Sequence, residues 1–250
     1  MNPIETTHLI AQYLAAAGIS FLEKKPDDSH TNLGFDTQKM RLETHPLNED
    51  GDKLVFDYKS FCLKFRGPVT NLELSLDGAS HQQVIDWIEQ QREQLGIAKP
   101  YNYGFHYELP YTIDADHIWT SLERSDLSKL AFNRVLAQNA STQFAKHIGV
   151  DANIRIWPHH FDTGGYTPLP NEDSLAVGWG MAIPDSIVDG MYFYISYYMG
   201  GKPYLPEILP ELSEGRWSKE GFVGAVLSLE EAKEDPISFF KEVHTAVTTS

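Results

Sequence analysis

The segment Ile154-Arg155-Ile156-Trp157-Pro158-His159-His160-Phe161-Asp162 gathers more acid–base chemistry than any other stretch of the chain. Read as a strand, its alternate side chains share a face, so His160 and Asp162 point one way and His159 and Phe161 the other. A second His-x-acid pair, His106 and Glu108, flanks Tyr107. If the two strands meet, two imidazoles and two carboxylates converge. Donors of that kind suit zinc, iron or manganese, and an open coordination position on such an ion supports hydrolysis or oxidation. Without a metal, His160 can act as general base with Asp162 orienting it, while His106 and Glu108 form an opposing wall. A structural role competes, because buried histidines commonly hydrogen-bond carboxylates and Pro158 interrupts any ladder.

Aromatic residues form the second theme. On a strand from Met191 to Met199, the side chains of Met191, Phe193, Ile195 and Tyr197 share a core face, whereas Tyr192, Tyr194 and Tyr198 share the other. Rings with hydroxyl groups can stack a flat ligand and hydrogen-bond it, or can pack under a helix. Trp157, Trp179, Tyr166 and the Tyr101/Tyr103 pair extend this candidate wall.

Other chemistries lose support. No Gly-x-Gly-x-x-Gly, phosphate-binding Gly-Lys loop, Gly-x-Ser-x-Gly elbow or His-Glu-x-x-His helix is present. Twenty basic against 35 acidic residues give a net charge of −15, which repels phosphate backbones and anionic lipid and argues against nucleic-acid or membrane partners. Cys62 is the one cysteine, so it forms no internal disulfide and reads as an inert thiol, and a reducing compartment is expected. The first eight residues lack Lys and Arg, and no apolar run reaches membrane-spanning length, so the expected location is cytoplasmic.

Helices are punctuated clearly. Asn2-Pro3 with Glu5 opens the first, with Gly18 as its stop; Ser80 with Gln83 opens the second, ended by Gly96. The third runs from about 126 to 147, with Phe132, Leu136, Ala140, Phe144 and Ile148 along one side. The last is expected from Ser228 with Glu231, restarting at Asp235-Pro236, with Glu230, Glu231, Glu234 and Asp235 as a solvated face. Strands are expected over 31–43, 53–65, 69–76, 103–109, 153–162, 174–182, 190–199 and 217–227. Strands that cluster between helices favour antiparallel sheets backed by helices, the α+β class. One domain over 1–250 is expected, built from two α-β-β-β-α pseudo-repeats about 1–122 and 123–250. The repeated Phe35-Asp36-Thr37 and Phe161-Asp162-Thr163 are consistent with that.

Trp157-Pro158-x-His160-Phe161-Asp162, followed by Gly180 with Asp185 and by Tyr192 with Tyr194, resembles an uncharacterised bacterial family of unknown function carrying a Trp-Pro-x-His-Phe-Asp signature. The resemblance covers about residues 154 to 198 and implies a soluble bacterial protein without supplying a reaction.

Three readings stay open: a small-molecule-binding protein with an aromatic, His-lined pocket, catalytic at His160 and Asp162 if it is an enzyme; a metal-dependent hydrolase or oxidase using His106, Glu108, His160 and Asp162; and a non-catalytic interaction or scaffold protein. In the first, His106, Glu108, Trp157, Tyr192, Tyr194 and Tyr198 contact the ligand. The sequence specifies neither a cofactor nor an oligomeric state.

Overall fold

The computed structural model describes residues 1–170, 174–232 and 235–249; Glu234 lies outside them. The elements run α1 (Pro3–Phe21), β1 (Gly34–Asp36), β2 (Arg41–Glu43), β3 (Lys53–Asp57), β4 (Cys62–Arg66), β5 (Asn71–Ser75), α2 (His81–Gln94) and α3 (Arg124–His147). They continue with β6 (Arg155–Trp157), β7 (Asp162–Pro168), β8 (Leu175–Ala182), β9 (Tyr192–Met199), β10 (Lys202–Tyr204), β11 (Arg216–Ser218), β12 (Gly224–Ser228) and α4 (Pro236–Thr248). The class is α+β. One antiparallel sheet has the order β1-β2-β3-β4-β5; the other has the order β11-β12-β9-β8-β7-β6, with β10 paired to β9. The chain divides into two units, residues 1–135 with 156–159, and residues 136–155 with 160–250. No helix among the described residues is long and apolar enough to cross a membrane.

The helix starts follow their caps. Asn2 and Glu5 form a reciprocal capping box on α1, Ser80 and Gln83 form another on α2, and Asp235 accepts from the Ile237 N–H ahead of Pro236. Ser228 and Glu231 make a turn rather than a helix start, with the N–H groups of Glu231 and Ala232 returning to the Ser228 carbonyl. Gly18 does not stop α1, which continues to Phe21. A Cβ at Gly18 would lie 2.7 Å from the His30 carbonyl oxygen, so this glycine serves close packing rather than termination.

Along α3, Phe132 is 61% exposed whereas Phe144 is fully buried. A four-residue spacing overshoots the 3.6-residue turn by roughly 40° per step, so three steps carry Phe132 off the face that Phe144 occupies. The buried positions of α3 are Leu127, Ala131, Asn133, Arg134, Ala137, Ala140, Ser141, Phe144 and Ala145, so Ala140 and Phe144 of the expected stripe are kept.

Three of the expected long strands are hairpins. Residues 31–43, 53–65 and 153–162 each fold about four residues that contain no glycine: 37–40, 58–61 and 158–161. The last residue of each turn, Met40, Phe61 and Phe161, takes a left-handed φ of 54°, 50° and 54°. Two of the turns are fastened by an aspartate: Asp36 Oδ1 accepts from Gln38 and Lys39 N–H, and Asp57 Oδ1 from Lys59 and Ser60 N–H. The run 217–227 likewise divides into β11 and β12. Phe35-Asp36 therefore enters a turn while Phe161-Asp162 leaves one, so this identity does not mark equivalent places.

Candidate functional site

In the second unit the structure brings together Asp162 and Tyr194 among the residues singled out from sequence. His160 is exposed in the turn before β7, not on a strand, because the left-handed Phe161 breaks the alternation; Asp162 opens β7. Tyr194 faces Gly180 in the β8–β9 register, and Gly180 faces Gly164 on β7. With no Cβ on either glycine, the Tyr194 ring passes over β8 and its hydroxyl donates to Asp162 Oδ2 at 2.5 Å. Beside it, Tyr192 donates to Asp185 Oδ2 at 2.7 Å, and Asp185 Oδ1 accepts from the Ile187 N–H. Tyr198 accepts from Ser196 Oγ at 3.2 Å and meets Tyr166 edge-on at 5.8 Å.

Burial raises the pKa of Tyr192 and of Tyr194, and the neighbouring carboxylates raise them further, so both hydroxyls keep their protons and donate at neutral pH. Two tyrosine–carboxylate pairs, Tyr194 with Asp162 and Tyr192 with Asp185, thus stand side by side. On the opposite face of β9, Phe193 meets Phe240 and the Tyr197 hydroxyl lies 2.8 Å from His244 Nδ1, so that face is core, as its alternation indicates.

His106 and Glu108 belong to the first unit, where residues 103–109 make no ladder. Period-two alternation is nevertheless present. From 101 to 113 every odd position is buried or half-buried, and of the even ones only Gly104 is not exposed. Pro110 has no N–H, the Tyr101 N–H goes to Glu89 Oε2, and the Asn102 N–H goes to Ser20 Oγ, so side chains supply what a sheet neighbour would. His106 Nε2 lies 3.2 Å from Asp28 Oδ2. Trp157, on β6, meets His159 edge-on at 6.2 Å. Among the described residues, no group of three or more His, Cys, Asp or Glu is placed to hold a metal ion. Cys62 is buried and free, with Sγ 3.1 Å from the Ser60 carbonyl oxygen.

The odd residues of this segment form a ladder. Tyr103 and Phe105 meet edge-on at 4.9 Å, and Phe105 and Tyr107 stack at 5.3 Å. Together with Leu9 of α1, Tyr111 and Glu108, they line a cavity of about 410 Å³. A second cavity of about 360 Å³, lined by Lys24, Asp28, His30 and His106, shares Phe105 with it.

Behind the ladder lies a polar network on α1. Tyr107 donates to Gln12 Oε1 at 2.7 Å, Gln12 Nε2 donates to the Pro158 carbonyl at 2.9 Å, and His8 bonds the Pro158 carbonyl and the Tyr111 hydroxyl. Sequence reasoning missed His8, Gln12, Tyr13, His81 and Trp119. The available signal was His8 and Gln12, one helical turn apart in an otherwise apolar run, which mark a polar stripe on a buried helix. No family model, curated protein or solved structure matches the chain.

Proposed function

We propose that the protein binds a small molecule in the cavity lined by Tyr103, Phe105, Tyr107, Tyr111 and Leu9. The supporting observation is the aromatic ladder itself, three rings in continuous contact along one wall of a cavity of about 410 Å³. That size falls in the ordinary range for small-molecule sites, which are mostly apolar with a few placed polar groups. The hydroxyls of Tyr107 and Tyr111 are engaged by Gln12 and His8, so the rings are held in place from behind and present carbon surface to a ligand. The reading keeps Glu108 in a ligand-binding role and moves the remaining contacts from the Tyr192–Tyr198 strand to the 103–113 segment. A cytoplasmic setting, supported by the lone buried cysteine and the acidic charge, and membership of the bacterial Trp-Pro-x-His-Phe-Asp group belong to the same proposal.

A ligand-observed NMR screen of small planar fragments tests it, run on the wild type, Phe105→Leu and His160→Ala. Fragments should bind the wild type and the His160 variant alike and bind Phe105→Leu about tenfold more weakly, since the aromatic contact is lost while the site stays apolar. An absence of hits at millimolar concentration overturns the proposal. So do hits that depend on His160 and ignore Phe105.

A further inference from the structure

We infer that the ligand of the aromatic cavity is an organic cation, an amine or quaternary ammonium compound with a small apolar body. This rests on the proposal that the cavity is a ligand site, and it adds the ligand's charge. Among the described residues lining the cavity, Glu108 is the one acidic side chain and none is basic; the rest are Leu, Ile, Thr, Tyr and Phe. Its carboxylate enters no hydrogen bond or ion pair with any described residue, so its charge is not spent on the protein. Two nearby histidines are committed elsewhere: His106 is paired with Asp28 over the neighbouring cavity, and His8 is held between Tyr111 and Pro158.

The rings point to the same charge. An aromatic face is electronegative and attracts a cation within about 6 Å of its centroid, and centroids 4.9 and 5.3 Å apart let one cation lie within that reach of two rings. The Tyr107 and Tyr111 hydroxyls are occupied on the helix side, and no Lys, Arg or His among the described residues lines the wall to pair with a carboxylate or phosphate. An anionic ligand would also meet Glu108 and a protein of net charge −15, whereas a cation is drawn in by both.

The probes are choline and its neutral isostere 3,3-dimethylbutan-1-ol, which differ in the charge of one central atom. Binding is followed by chemical-shift perturbation in wild-type protein, Glu108→Gln and Phe105→Leu, with a thermal melt establishing that each variant is folded. Choline should shift resonances of residues 103–113 and bind about tenfold more tightly than the isostere, and Glu108→Gln should remove about three- to tenfold of that preference. Phe105→Leu should weaken choline more than the alcohol. If the alcohol binds as tightly as choline and Glu108→Gln changes neither, the charge inference is overturned while the cavity remains a ligand site. If neither probe nor any fragment perturbs residues 103–113, the ligand-site proposal falls with it.

Discussion

The Tyr13 hydroxyl lies 2.6 Å from Nδ1 of His81, and the Trp119 indole N–H donates to the same hydroxyl at 3.1 Å. An indole nitrogen can only donate, so the Tyr13 oxygen accepts from Trp119, and its own proton can go to His81. That direction requires Nδ1 of His81 to be an unprotonated acceptor. Burial, aided by nearby His117, lowers the His81 pKa from its usual 6.5, in agreement with the geometry. The three residues tie α1 to the start of α2 and to the 114–119 segment, so this chain of donors holds together the unit that carries the cavity.

Stability should therefore fall as pH drops below about 6.5, where unfolded histidine begins to titrate. The folded pKa of His81 is lower, so between the two values the unfolded chain binds more protons and acid favours unfolding. His30 and His244 act in the same direction, each lowered chiefly by burial. Asp27 and Glu89 also have lowered values, but their contribution is lost only nearer the ordinary carboxylate range, so the interval from pH 7.5 to 5.5 isolates the histidines. The urea midpoint should decrease across that interval, and the decrease should shrink in His81→Gln. A midpoint that is level or rises on acidification contradicts the assignment.

The glycines beneath Tyr194 allow a second prediction. A Cβ at Gly164 would lie 2.5 Å from the Trp179 carbonyl oxygen and 2.7 Å from the Tyr194 hydroxyl, and one at Gly180 would lie 2.2 Å from the Thr163 carbonyl oxygen. Backbone oxygens cannot rotate away as a flexible side chain can. Gly164→Ala and Gly180→Ala should each lower stability by about 1–3 kcal/mol, the usual cost of overfilling a packed site. Tyr194→Phe, which removes the donor to the Asp162 carboxylate, should cost about 1–3 kcal/mol. Denaturant unfolding of the three variants measures this, and wild-type stability in both alanine variants would show that β7 and β8 can move apart freely.

How far the sequence could be read depended on whether a feature was written in residue type or only in backbone conformation. The caps at Asn2, Ser80 and Asp235 were legible because the side chain that satisfies the orphan N–H groups is itself the signal. The two faces of β9 were legible because period two survives in any paired strand. The turns at 37–40, 58–61 and 158–161 were not, since their left-handed position is filled by Met or Phe where glycine or asparagine is expected. That omission also displaced the site: once Phe161 turns the chain, His160 leaves the strand face that Asp162 keeps. Asp162 and Tyr194, assigned to one candidate pocket, meet across glycines that carry no chemistry of their own. The 103–113 segment had the alternation of a strand, and its rings were noticed, but its support comes from α1, more than 90 residues earlier.

Tyr107 separates support of the cavity from contact with a ligand. Its hydroxyl donates to Gln12 Oε1, and Gln12 is completely buried, so Tyr107→Phe leaves an amide oxygen without that donor inside the protein. Stability should fall by about 0.5–1.5 kcal/mol, the usual net worth of a hydrogen bond. The ring remains, so choline affinity should stay within about twofold, whereas Tyr107→Leu should weaken it further through loss of the aromatic face. Parallel melts and NMR titrations of the two variants measure both effects. Equal choline affinity in both would mean that the ring is scaffold alone.

The β1–β2 turn isolates the backbone term from packing. Met40 takes φ of +54° and is half-buried, and the turn ahead of it is held by Asp36 rather than by the methionine side chain. A left-handed conformation costs an L-residue about 1–2 kcal/mol, more for a branched Cβ, and asparagine tolerates it best among non-glycine residues. Met40→Val should therefore destabilise by about 1–2 kcal/mol despite its high strand propensity, while Met40→Asn, polar and a poor strand former, should be neutral or stabilising. A strand-like φ at this position would reverse that order, because valine is then the favoured residue. The urea midpoints of the two variants thus report the turn conformation directly, and the same pair of substitutions at Phe61 or Phe161 would confound it with the loss of a buried ring.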